Sequence, residues 1–378
     1  MAQFYYNSAF ALNNKPSYGA SDILDFEVKM RPGRSMVANS FRVNGILQIS
    51  KTLNSGLVVP IKKTDNVFVN AYTGVHAFFR NSSVLVNGSV VENNSYYPRW
   101  CAMQKQKGWT LEGLNTSSDC LTEMCGTQNN IMLLGSNTDA GCSFSMKPCA
   151  AINGSSSNLP QSQFPSVRIV FNMVSPLEAL YTTHKSLSAY MLSAEGFTGL
   201  TFTITNLHSM WYETNEVAVP QPVTFQTASL VTTTLATSYA VFALTAANLY
   251  DAVSLSFIQQ SHRNSLFFDN NLSEFIPGLD TGVGKLEVTL DGNNAVVTYP
   301  IQSYADAARN YAKSLGAGLK NSLTNAYLSK VLTFGLGFRF AVAENDRIAL
   351  ALQVDPTVYN PSETPCDTFM YLSGYVQV

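Results

Sequence analysis

Short runs of β-forming residues, many alternating apolar and polar, recur along the chain with turn residues between them, and this pattern predicts an all-β sandwich or barrel. In the first half they cover Phe41–Ile49, Val67–Ala71, His76–Val86, Cys142–Met146, Val167–Met173, Leu200–Thr205 and Val223–Thr234. The second half continues with Tyr239–Leu244, Val253–Ile258, Lys285–Leu290, Ala295–Tyr299, Phe338–Val342, Arg347–Val354 and Phe369–Val376. One run, Val84-Leu85-Val86-Asn87-Gly88-Ser89-Val90-Val91, sets an Asn-Gly pair between β-formers. A two-residue type I′ turn needs φ > 0 at both positions, which Asn and Gly tolerate best, so a tight hairpin is expected here.

Helical spacing is confined to two stretches. From Ser303 to Lys330, the residues Tyr304, Ala307, Ala308, Tyr311, Ala312 and Leu315 fall on one helical face, with Gly316 and Gly318 as a break or kink. Its polar face carries only Arg309, Lys313 and Lys320, too little cation for a membrane-surface helix, so a packed structural helix is expected. A shorter candidate runs from Tyr97 to Lys107.

The hairpin also discloses a repeat. Val84-Leu85-Val86-Asn87-Gly88 followed by Val90-Val91 is echoed by Val288-Thr289-Leu290-Asp291-Gly292 followed by Val296-Val297. Each is succeeded by a Tyr-Pro pair, Tyr97-Pro98 and Tyr299-Pro300, leading into a candidate helix. Further on, Arg168-Ile169-Val170-Phe171 resembles Arg347-Ile348-Ala349-Leu350. The same order of strand, hairpin, helix, insertion and basic-headed strand in each half implies two copies of one sandwich. Pro220-Gln221-Pro222 reads as the crossing between them, since proline cannot donate to a ladder, and places the boundary near residue 218. The expected organisation is residues 1–38 as an N-terminal arm, 39–218 as the first sandwich and 219–378 as the second.

Composition sharpens this picture at one point. Charged residues make up 13% of the 378 residues, about half the roughly 25% usual for a soluble globular protein. The polarity is carried instead by Asn, Ser, Thr, Gln and Tyr. A large folded chain with so few charges is expected to cover much of its exterior with other protein. With 23 basic against 25 acidic residues the net charge is −2, which argues against a dedicated nucleic-acid binder. The 22 Phe and 18 Tyr exclude a disordered chain. No basic segment followed by an apolar one opens the sequence, so synthesis without a secretory signal is expected, and the Asn-x-Ser/Thr triplets at Asn81, Asn87, Asn93, Asn115, Asn153 and Asn271 are expected to be chance products of composition.

Candidate chemistry is sparse. His76, His184, His208 and His262 are scattered, none at the i, i+4 spacing that places two imidazoles on one helical face. His76 alternates with apolar residues and reads as a hydrogen-bonded strand residue rather than a base. Gly282-Val283-Gly284-Lys285 lacks the remaining elements of a phosphate loop. Glu112, Asp119 and Glu123 are the candidates for a glycosidase-like carboxylate pair. Tyr96, Tyr97, Trp100, Trp109 and Trp211 could form a stacking platform, although aromatic residues at strand ends more often plug a core or an interface. The six cysteines at 101, 120, 125, 142, 149 and 366 have spacings looser than zinc knuckles, and reduced thiols are expected, with a local disulfide as the alternative. No catalytic, cofactor-binding or metal-ligating residue is assigned, and the chain is expected not to be an enzyme. Arg31, Arg34, Arg42, Lys51, Lys62 and Lys63 make the first 65 residues locally cationic, balanced by Asp22, Asp25, Glu27 and Asp65.

Two stretches carry a family resemblance. Leu159-Pro160-Gln161-Ser162, the strand Val167–Phe171, then Ser175-Pro176-Leu177-Glu178-Ala179-Leu180-Tyr181 and the strand Leu200–Thr205 resemble the end of the first jelly roll of small phage capsid proteins. Gly74-Val75-His76-Ala77-Phe78-Phe79-Arg80 through Tyr96-Tyr97-Pro98-Arg99 is similar to the first-domain hairpin and helix of virophage and polinton-like members. With the tandem pattern, the whole resembles the double jelly-roll major capsid proteins of tailless icosahedral double-stranded-DNA viruses, a lineage that includes membrane-containing phages and adenovirus.

The resemblance implies two tandem eight-stranded jelly rolls with short helical insertions, standing perpendicular to a capsid surface. It implies a homotrimer of pseudo-hexagonal outline that tiles an icosahedral shell, located in the virion, with itself, neighbouring capsomers and minor capsid or penton proteins as partners. Residues 101–165 and 259–284 would be outer loops, and the arm at 1–38 would meet neighbouring trimers, an inner membrane or the genome without reading nucleic-acid sequence. A minor capsid or vertex protein usually has one jelly roll, which the repeat argues against. A carbohydrate-binding β-sandwich, lectin-like or a receptor-binding spike, is the alternative from another class, and it would show a similar Asn-, Ser- and Thr-rich composition.

Overall fold

The computed structural model describes residues 3–62, 65–70, 73–106, 127–128, 131–134, 141–182, 197–215, 221–245, 249–271, 284–290, 297–301, 336–342, 347–353, 360 and 362–378. Two compact units divide the chain: Met1–Thr227 with Asn264–Asn271 and Gln377–Val378, and Ala228–Arg263 with Leu272–Val376. The crossing expected near residue 218 lies outside the described residues, as do the candidate helix 303–330 and the hairpin loop 291–296.

Among the described residues of the first half, eight main strands build the two layers of a jelly roll. They are β1 (Phe4–Phe10), β2 (Ile23–Val28), β3 (Arg42–Leu53), β4 (Phe79–Val86), β5 (Ser89–Asn94), β6 (Cys142–Met146), β7 (Val167–Met173) and β8 (Phe197–Thr214). One sheet has the order β1-β8-β3-β6 and the other β2-β7-β4-β5. The chain passes back and forth between the two sheets, which is jelly-roll topology.

The second half supplies β9 (Thr224–Leu235), β10 (Tyr239–Thr245), β11 (Leu249–Gln259), β12 (Gly284–Leu290), β13 (Val297–Ile301), β14 (Leu336–Val342), β15 (Arg347–Gln353) and β16 (Cys366–Gln377). Their orders are β9-β16-β11-β14 and β10-β15-β12-β13. Strand for strand this is the first arrangement repeated, so the fold is a double jelly roll, as the repeat implied. The register corrects one detail. Val84 faces Ile169, whereas Val288 faces Leu350, so Ile169 corresponds to Leu350 rather than to Ile348. A shift of two residues keeps every side chain on its own face of the sheet.

Alternation explains the strands of the first roll. Leu24, Phe26 and Val28 are buried on β2, and Val43, Leu47 and Ile49 on β3, while their polar neighbours face outward. Asn87 and Gly88 adopt φ of 51° and 83°, and Val86 pairs with Ser89 across them, the expected tight hairpin. The helix α1 (Tyr97–Gln106) starts with Pro98 in its first turn, where a missing N–H costs nothing. It buries Tyr97, Trp100, Cys101 and Met103. Phe78 against Phe202 at 4.8 Å, Phe79 against Phe171 at 5.2 Å and Tyr97 against Phe171 at 5.6 Å form an aromatic centre to this core.

Three expectations change. Residues 3–38 do not hang free: β1 and β2 are outer strands of the two sheets, because pairing along β8 and β7 satisfies a backbone that an extended arm would leave to solvent. His76 lies in a 3-10 turn, Gly74–Phe78, ahead of β4 rather than in a strand. The stretches expected as outer loops contain ordered structure: Cys142–Met146 is a sheet strand, as its own residue pattern predicted, and Asn264–Asn271 is built into the first unit. There Arg99 Nη2 donates to Asn270 O at 2.5 Å, Thr182 N to Leu266 O at 2.7 Å and Asn70 Nδ2 to Asp269 Oδ2 at 2.8 Å.

Candidate assembly surface

The residues singled out for chemistry do not converge. His76 Nδ1 and Tyr97 Oη share a hydrogen bond at 2.7 Å, and the same oxygen accepts from Cys149 N at 3.1 Å. Cys101 Sγ lies 3.6 Å from His76 Nδ1. All of this surrounds a phenol that burial pushes well above its usual pKa. The cluster is a buried hydrogen-bonded knot inside the first unit. His208 lies on β8, His262 follows β11, and His184 lies outside the described residues. Among the described residues no group of three or more His, Cys, Asp or Glu side chains is placed to hold a metal ion.

The stacking platform does not assemble either. Tyr97, Trp100 and Trp211 are buried, and Trp109 lies outside the described residues with Glu112, Asp119 and Glu123. Cys101, Cys142, Cys149 and Cys366 are thiols; Cys120 and Cys125 are not described. The cationic stretch is largely spoken for. Lys51 and Asp65 form a fully buried pair at 2.8 Å, completed by Lys62 N donating to Asp65 Oδ2 at 2.7 Å. Arg34 faces Glu213 at 3.5 Å and Arg42 donates to Ser145 O at 3.1 Å, while Lys63 is not described.

What does stand out is a surface. Strand β1 pairs with β8 from Phe4 opposite Thr214 to Phe10 opposite His208, and its other edge has no strand partner among the described residues. The inner face of this pair is locked. Trp211 Nε1 donates to the buried Glu213 carboxylate at 3.3 Å, and the Arg34 guanidinium lies 3.7 Å over the Tyr5 ring. That fixes the opposite residues outward: Phe4 is 64% exposed, Tyr6 55%, Phe10 59% and Tyr212 42%. Tyr6 and Tyr212 meet edge to face at 6.2 Å, and Phe10 meets His208 at 6.3 Å. The row continues through exposed Leu12, whose N–H donates to Asp25 O on β2, to exposed Ile23. It carries no charged side chain.

This row was missed in the sequence. Phe4-Tyr5-Tyr6-Asn7-Ser8-Ala9-Phe10 alternates, but a period-two reading turns Phe and Tyr inward; the strand does the reverse. The run of aromatic residues was the available signal.

No protein-family model matches the sequence, and no curated protein matches it. The fold does find relatives among solved structures. The Faustovirus major capsid protein superposes with a TM-score of 0.61 at 9% identity, covering 100% of this chain and 90% of the other. A chain of the PBCV-1 virus capsid gives 0.58 at 9% identity, covering 100% and 95%. The mavirus major capsid protein gives 0.53 at 11% identity, covering 99% and 90%. The fold is that of the double jelly-roll major capsid proteins. The correspondence spans both jelly rolls from end to end, so the tandem arrangement is shared as well as the single sandwich. At identities near 10% the likeness is one of architecture alone.

Proposed function

We propose that this chain is a major capsid protein: a structural subunit without catalytic activity that associates into pseudo-hexagonal trimers and tiles an icosahedral shell in the virion. One observation carries the reading. Two tandem jelly rolls among the described residues match nearly the whole length of viral capsid proteins. The charge-poor composition, 13% of residues, fits flanks that neighbouring copies cover. Neighbouring capsomers and minor capsid or penton proteins are the partners of such a subunit. A cationic arm is not part of the reading, since residues 4–10 and 23–28 belong to the sheets. Mass measurement of the purified chain, with electron microscopy of concentrated samples, tests it. Trimers and larger closed or sheet-like assemblies are expected. A monomer that stays monomeric at every concentration would overturn the proposal.

A further inference from the structure

We propose that the outer face of β1 and β8, with Phe4, Tyr6, Phe10 and Tyr212, is a contact surface for a second copy of this chain. The inference rests on the capsid reading and adds which surface mediates association.

Three observations carry it. First, the fold does not require this row. Strand β9 holds the position in the second roll that β1 holds in the first, and its exposed positions are Gln226, Thr232 and Thr234. The place beside the last strand of a jelly roll can therefore carry polar exposed residues, and the aromatic residues of β1 need another explanation. Second, the size fits. The exposed parts of Phe4, Tyr6, Phe10, Leu12, Ile23 and Tyr212 amount to roughly 600 Å², the upper end for the largest apolar patch on a monomer. A standard protein interface takes roughly 800 Å² from each partner. Third, the chemistry fits protein rather than lipid. An open strand edge offers backbone donors and acceptors that another polypeptide satisfies and acyl chains cannot. The Arg34 guanidinium is turned inward between Tyr5 and Glu213 and is not offered to an anionic surface. A net charge of −2 on 378 residues opposes self-association only weakly.

The test uses the full-length protein. The variant Phe4→Ser/Tyr6→Ser/Phe10→Ser is compared with wild type and with Leu57→Ser/Val58→Ser, two exposed apolar residues at the β3 hairpin, in sedimentation velocity across a concentration series. The β1 variant is expected to weaken self-association by roughly thirtyfold or more, the loss typical of an interface hot spot, while the hairpin variant follows wild type. In parallel, amide hydrogen exchange of wild type is read over residues 4–10 in dissociated and assembled protein. Slower exchange on assembly is expected. A β1 variant that folds and associates as wild type does, or exchange at 4–10 that assembly leaves unchanged, would overturn this inference and leave the capsid reading standing. Wild type that never associates would overturn both.

Discussion

Strands β1 and β9 occupy the same place in the two jelly rolls and are clothed in opposite ways. Both flank the long last strand of their roll, β8 and β16. Yet β1 turns Phe4, Tyr6 and Phe10 to the outside, and β9 turns out Gln226, Thr232 and Thr234. The difference therefore does not come from that place in the jelly roll alone. It teaches that the exterior of each roll is specified separately from its interior. The interiors themselves also differ in how they hold charge. In the first unit desolvation pushes the pKa of buried Glu92 up to about 8 and that of half-buried Asp269 up to about 6. In the second unit burial acts on Asp367 too, but hydrogen bonds from Gln260, Arg263 and Thr234 outweigh it and hold the carboxyl below its usual range.

The contrast between inside and outside is sharpest at two adjacent residues of β8. Trp211→Ala empties a site that is 2% exposed and orphans the Glu213 contact, and it should cost roughly 3–5 kcal/mol in guanidinium unfolding. A loss below 1 kcal/mol would mean that the core is not built as described.

A smaller effect, about 3 kcal/mol, is expected for Gly374→Ala on β16, where a Cβ would lie 1.9 Å from Leu249 O. Backbone on β11 cannot yield to it. The corresponding crowding in the first roll, Gly45 on β3, meets the Phe144 ring at 2.9 Å, and a ring can turn aside. Gly45→Ala should therefore cost less in the same measurement, and equal losses would erase the distinction between the two rolls.

The carboxyls predict opposite responses to pH. Groups with raised folded-state pKa values stabilise fully below their unfolded values and lose that contribution as pH rises through the folded values. For Asp269 and Glu92 that window runs from 3.8 up to about 6 and from 4.5 up to about 8 respectively. Hydrogen exchange in the first unit should accordingly show a loss of about 2 kcal/mol between pH 6 and pH 8, and Glu92→Gln should flatten most of that slope. Asp367 works the other way: its contribution is present above 3.8 and is lost as pH falls through its depressed value. An unaltered slope in Glu92→Gln would remove Glu92 as its source.

The smallest effect belongs to the outer face. Tyr212→Ala should change the unfolding free energy of dissociated protein by no more than about 0.5 kcal/mol. A loss approaching that of Trp211→Ala would show that the aromatic row serves the fold after all.

Much of the architecture was legible because its signals are local. Asn87-Gly88 dictates its own turn, alternation on Val167–Met173 names the buried face, and the recurrence of the hairpin and the Arg-headed strand disclosed two equivalent rolls. Other features were not local. The shift that pairs Val288 with Leu350 is set by the neighbouring strands, since a two-residue slip leaves the apolar pattern intact. His76 falls in a turn rather than a strand because its imidazole is drawn to Tyr97, 21 residues away in the chain. The placement of Asn264–Asn271 in the first unit rests on Arg99, Thr182 and Asn70, which nothing in the segment itself foretells.

The amino-acid sequence by itself determined the strands, the tight hairpin, the duplication and the poverty of charge, because each follows from properties of neighbouring residues or from composition. Only the tertiary structure decided which side of β1 faces water. Phe4-Tyr5-Tyr6-Asn7-Ser8-Ala9-Phe10 has apolar residues on both faces, so periodicity alone favours the wrong one. The choice is made by the partners: Glu213 and Trp211 on β8 and the Arg34 guanidinium claim the side of Tyr5, and the row of Phe4, Tyr6 and Phe10 is left outside.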